Sequence, residues 1–141
     1  MRADLTLLES TRADAAGLEE RLGDDGDVVV HVRGPKMTTV AHLFDEVAAA
    51  LQFPYYFGAN KDAFDECLSE VCDADDPILL VFDAHELLAQ QPDQLTWFVA
   101  VLGQIPLRTI LQVPSEHVDD VVQRFAAAGH GDLGRGTEAE A

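Results

Sequence analysis

The sequence predicts a small α/β layer fold with a mainly parallel sheet, and three observations carry that expectation. Residues 28–32 (VVVHV), 77–82 (PILLVF) and 107–113 (LRTILQV) are largely apolar runs without alternation, the pattern of strands covered on both faces. The segments between them repeat apolar residues at helical spacing. Strand and helix signals alternate along nearly the whole chain, which favours parallel strands joined by crossover helices.

Residues 5–8 form a weaker strand candidate, and Thr11-Arg12-Ala13-Asp14 is a capping-box-like start for a helix to about Leu22. The turn-like GDDGD then opens the run at 28–32, which Arg33-Gly34-Pro35 closes. Thr38 or Thr39 caps the next helix, with Val40, Leu43, Phe44, Val47 and Leu51 on one stripe. Asn60 caps a third, turning Ala63, Phe64, Cys67, Leu68 and Val71 inward. Helical spacing returns over 93–104 through Leu95, Phe98, Val99 and Leu102, and Ser115 is the expected cap of a last helix carrying Val118, Val121, Val122 and Phe125. From Gly129 onward the chain has four glycines and few apolar side chains, the composition of a flexible tail. The expected organisation is one domain over 1–128, with an N-terminal extension (1–27), a C-terminal helix (115–128) and a tail at 129–141.

Composition narrows the function classes. The 141 residues are 48% apolar with no run approaching the length of a membrane span, and the N-terminus lacks the pattern of a secretory signal; a cytoplasmic globular protein is expected. Cys67 and Cys72 stand five apart and alone, too few for a disulfide scaffold or a four-ligand zinc site, and are expected as reduced, partly buried thiols. The five histidines show no metal-ligand spacing, Asp75-Asp76 reads as a turn, and no nucleophile elbow, phosphate-cradling loop or zinc-protease helix occurs. No enzyme, cofactor or metal is expected.

Charge is the strongest compositional signal. A net charge of −17 opposes nucleic acid and anionic membrane and favours basic partners. Between Lys61 and Arg108 there is no Lys or Arg, while ten acids fall there, seven of them within 62–76. Solubility alone does not require that clustering.

The most informative stretch is 53–68, FPYYFGANKDAFDECL. The inward positions of its helix leave Asp62, Asp65, Glu66, Ser69 and Glu70 facing out. Like charges three or four apart repel by a few tenths of a kcal/mol per pair, and only Asp62 lies near enough to the N-terminus to gain from the dipole. Pro54 stiffens the preceding bend and Gly58 permits a positive φ there. Tyr55 and Tyr56 beside carboxylates form a recipe for an interface anchor, with Phe57 and at least one tyrosine expected to pack inward.

Pro54, Tyr56, Phe57, Gly58, Asn60, Asp62, Ala63, Cys67 and Leu68 match in type and spacing the loop-and-helix segment of the barstar-like inhibitors of barnase-type ribonucleases. The chain resembles that family over roughly 28–113. The resemblance implies a three-stranded parallel sheet packed with helices in two or three layers; the run at 5–8, read from its own pattern, is a candidate fourth strand. It also implies a surface that plugs a nuclease active site: Tyr56 as the covering aromatic, and Asp62 and Glu66 as carboxylates placed where substrate phosphates lie. The wider partner-binding set is Tyr55, Tyr56, Gly58, Asn60, Asp62, Asp65, Glu66, Ser69 and Glu70. The expected partner is a basic secreted ribonuclease bound one to one. This chain departs from barstar in having Glu66 for an aspartate and Asp65 for a tryptophan, and in lacking a later acid because 98–102 is apolar. The alternative reading is a regulatory module for another basic protein.

Overall fold

Strands and helices alternate as the apolar spacing dictates. The computed structural model describes residues 3–131 and 133–136. Its strands are β1 (Leu5–Glu9), β2 (Val29–Arg33), β3 (Ile78–Phe82), β4 (Arg108–Val113) and β5 (Gly134–Gly136), in the order β2-β3-β4-β1-β5, with every neighbouring pair parallel. The helices are α1 (Arg12–Asp24), α2 (Val40–Leu51), α3 (Lys61–Asp75), α4 (Leu95–Gln104) and α5 (Val118–Ala127). This is the expected parallel α/β sheet. The weaker run at 5–8 is a full strand, so four strands of five or six residues carry it.

Side chains alternate across the sheet, and each face has its own core. On one side Leu8, Ile78, Leu80 and Ile110 meet Ala15 and Leu18 of α1. On the other, Leu7, Val32, Leu79, Val81 and Leu111 meet α2, α3, α4 and α5. Three layers result, explaining why the strand sequences are apolar without alternation. Each fully buried Leu, Ile or Phe contributes about 1.5–3 kcal/mol.

Several boundaries differ from expectation. Thr39, not Thr38, caps α2, accepting from the His42 N–H. Pro92–Gln94 and Ser115–His117 are short 3-10 turns ahead of α4 and α5, so α5 begins at Val118 and Ser115 makes no side-chain cap. The segment before residue 28 does not hang from the domain: β1 lies inside the sheet, between β4 and β5.

Within the segment expected as a flexible tail, three residues form a strand. Gly134–Gly136 pairs with β1 through Thr6, Leu7 and Leu8, and His130 is buried. Strand pairing uses backbone groups that any residue supplies, so a glycine-rich segment can extend a sheet without an apolar signature. The rest of that segment, 132 and 137–141, lies outside the described residues. One glycine is dictated by packing: a Cβ on Gly34 would lie 2.1 Å from the Asp83 carbonyl oxygen, where the exits of β2 and β3 touch.

Candidate partner-binding surface

The surface begins where α2 stops. Gln52 takes the left-handed conformation that ends the helix, and the Phe53 N–H returns to the Ala48 carbonyl. The chain then closes a four-residue turn, the Phe57 N–H donating to Pro54 O at 2.9 Å. The turn runs from Pro54 to Phe57 with the two tyrosines in its middle, and Phe53 immediately precedes it. Phe53 and Phe57 reach inward, with ring centroids 5.3 Å apart; Phe57 lies 5.8 Å from Phe44, and Phe53 lies 5.9 Å from Phe64.

Tyr55 and Tyr56 are carried outward at 101% and 72% exposure, edge-on to one another at 5.7 Å. Phe57 packs inward as expected, but neither tyrosine does. The reason is the turn itself: both tyrosines occupy its apex, which the two phenylalanine anchors hold away from the core.

Gly58 does not supply the positive φ expected of it. Ala59 does, at φ 51°, while Gly58 lies close to the Asn60 side chain, where a Cβ would meet Nδ2 at 3.1 Å. A left-handed alanine is strained relative to glycine, so the turn is held by its surroundings. Asn60 caps α3 as its position requires, Oδ1 accepting from the Ala63 N–H at 2.9 Å.

Along α3, Phe64, Cys67, Leu68 and Cys72 are buried. Asp62, Glu66 and Glu70 are exposed, and Asp65 and Ser69 are half-buried on the same side. Positions 62, 65, 66, 69 and 70 form one helical stripe, which begins beside the tyrosine turn. Among the described residues, Asp62, Asp65, Glu66 and Glu70 take part in no ion pair. The stripe therefore presents charge that no described residue neutralises.

The thiols beneath are shielded. Burial, with Glu70 and then Glu66 adding to it, raises Cys67 above the ordinary thiol range, and burial with Asp73 and Asp76 pushes Cys72 up to about 11. Both are free, buried and protonated near neutrality, inert packing groups rather than nucleophiles.

Two residues at the rim were not singled out by the sequence. Lys61 Nζ donates to Gln94 Oε1 at 2.7 Å and sits 4.9 Å from the centroid of Trp97. Trp97 is half-buried and closes the aromatic cluster, 6.0 Å from Phe44 and 5.7 Å from Phe64. The lone tryptophan and the last cation before a 46-residue stretch without Lys or Arg were the signals available.

Among the described residues no group of three or more His, Cys, Asp or Glu is placed to hold a metal ion, and no helix is long and apolar enough to cross a membrane. No curated protein matches the chain. The family model for Barstar (barnase inhibitor) matches residues 28–111, from the entry to β2 into β4, and so includes the whole tyrosine turn and acidic helix. A parallel α/β sheet carrying that turn and helix, with the match spanning more than half its length, places this chain in the barstar family.

Proposed function

We propose that this protein inhibits a basic, barnase-like ribonuclease in the cytoplasm by seating the tyrosine turn and the acidic stripe of α3 in its active site. The observation that supports this most strongly is the unpaired stripe of Asp62, Asp65, Glu66 and Glu70 beside two outward tyrosines, within the segment matched to the family. A ribonuclease site gathers Arg, Lys and His to hold a polyanion. Carboxylates on a rigid helix meet the same cations, form charge-assisted hydrogen bonds and offer no scissile bond.

Asp62 and Glu66, one turn apart, take the places of substrate phosphates, and Tyr56 covers the site; Tyr55, Asp65, Ser69 and Glu70 lie around them. Gly58 and Asn60 shape the approach, Gly58 by its small size and Asn60 by capping α3. The surface is pre-organised. Phe53 and Phe57 hold the turn and Asn60 holds the helix start, so little ordering entropy is lost on docking. The long-range field accelerates encounter and makes association fall with salt. The protein acts by binding, one to one, and performs no chemistry of its own.

A pull-down from the source cell followed by an RNA-cleavage inhibition assay tests this. Capture of a small basic nuclease whose activity is lost at one equivalent supports it. Capture of a different basic protein, with no inhibition of any barnase-like nuclease, replaces it with the regulatory-module reading.

A further inference from the structure

Lys61 is the odd charge of the docking face. It is the first residue of α3, where a cation gains nothing from the helix dipole, and it stands next to Asp62 and one turn before Asp65. Yet it pairs with neither. Its ammonium reaches across to α4 and the turn ahead of it, held by the Gln94 amide oxygen at 2.7 Å and the Trp97 ring at 4.9 Å. Trp97 rests on Phe44 and Phe64, the cluster that also anchors the tyrosine turn. The acidic stripe is thereby left uncompensated, and a restrained cation stands at its N-terminal rim. A surface bearing only cations is repelled at that rim, whereas one with a carboxylate opposite Lys61 gains a pair.

We propose that Lys61 is a specificity-determining residue of the docking face, selecting basic partners that carry an acidic group at the edge of their cationic site. This rests on the docking function proposed above and adds a requirement to it. The test compares Lys61→Glu with Lys36→Glu, which changes net charge equally but lies before α2, at the end remote from the tyrosine turn. Lys61→Met keeps an apolar stem over Trp97 without the charge.

Against barnase, Lys61→Glu should weaken binding about tenfold or more and Lys61→Met by a few fold, with Lys36→Glu unchanged or slightly tighter. Emission from Trp97, the single tryptophan, should shift as the wild-type complex forms. Against poly-L-lysine, which carries no side-chain carboxylate, Lys61→Glu should bind more tightly than Lys36→Glu. Lys61→Glu binding barnase as well as or better than Lys36→Glu overturns the inference. A Glu66→Lys arm keeps the two ideas separate: if that variant still inhibits, the docking function itself fails, whereas loss of inhibition in Glu66→Lys with Lys61→Glu unaffected overturns the role of Lys61 alone.

Discussion

Glu46 on α2 and Glu66 on α3 are the same side chain in opposite circumstances. Arg33 surrounds the Glu46 carboxylate with its backbone N–H at 2.9 Å, Nε at 2.8 Å and Nη2 at 2.9 Å, and only 13% of the Glu46 side chain is exposed. That bidentate pair holds Glu46 below the ordinary carboxylate range and ties α2 to the end of β2. Glu66 has no such partner. In a protein of net charge −17, the number of acids says little about role; whether the fold neutralises them says much. The paired Glu46 holds two elements together, whereas among the described residues the acids of the α3 stripe enter no ion pair.

The largest effect expected from that contrast is in binding. Asp62→Lys combined with Glu66→Lys should reduce inhibition of the target nuclease by at least about 1,000-fold, because each reversal replaces a desolvated pair with a repulsion. Its thermal midpoint should stay level or rise, since like charges along α3 are relieved. An unchanged inhibition constant would remove the functional role of the stripe.

The tyrosine turn separates anchor from contact in the same way. Tyr56→Ala should cost about 2 kcal/mol of binding with little loss of stability, because the ring is 72% exposed. Phe57→Ala should cost about 2 kcal/mol of folding stability, its ring leaving Phe44 and Phe53, and should weaken binding by loosening the apex. Urea unfolding run beside inhibition titrations distinguishes the two; equal stability losses would blur the division.

Glu46→Gln should then do the reverse of Glu66→Lys, removing about 1 kcal/mol of stability near neutrality and leaving inhibition alone. Because Arg33 lowers the Glu46 pKa in the folded state, its contribution is complete above the unfolded carboxylate value of about 4.3 and is lost as pH falls through the folded value. The variant should therefore show a shallower acid limb when stability is followed below about pH 5. The smallest effect concerns the thiols. With Cys72 pushed up to about 11 and Cys67 also raised, neither should react with iodoacetamide at pH 8 until the protein unfolds; rapid alkylation of native protein would place them outside the core.

Much of this was legible in the sequence because apolar spacing reports burial directly. The stripe of Leu43, Phe44, Val47 and Leu51 and the run at 77–82 identified their elements, and Asn60 marked the start of α3 by its capping chemistry. Other features depend on contacts that composition does not encode. The outward turn of both tyrosines follows from one hydrogen bond between Phe57 and Pro54, and the left-handed residue proved to be Ala59 beside an available glycine. The Arg33–Glu46 pair joins residues thirteen apart on different elements, so nothing in the sequence separated Glu46 from the unpaired acids. β5 was hidden because a glycine-rich segment can pair through its backbone without an apolar signature.

The place of β1 has a consequence in time. Leu5 pairs beside Thr109 and Glu9 beside Val113, so β1 waits about a hundred residues for its neighbour. At ~5–20 residues per second of synthesis, that wait is roughly 5–20 s. Leu111 and Val113 belong to the core that supports α3, so the acidic stripe emerges about forty residues before the strand that gives it its footing. A nascent chain halted before residue 108 should protect no RNA, although its tyrosine turn and acidic helix are already made.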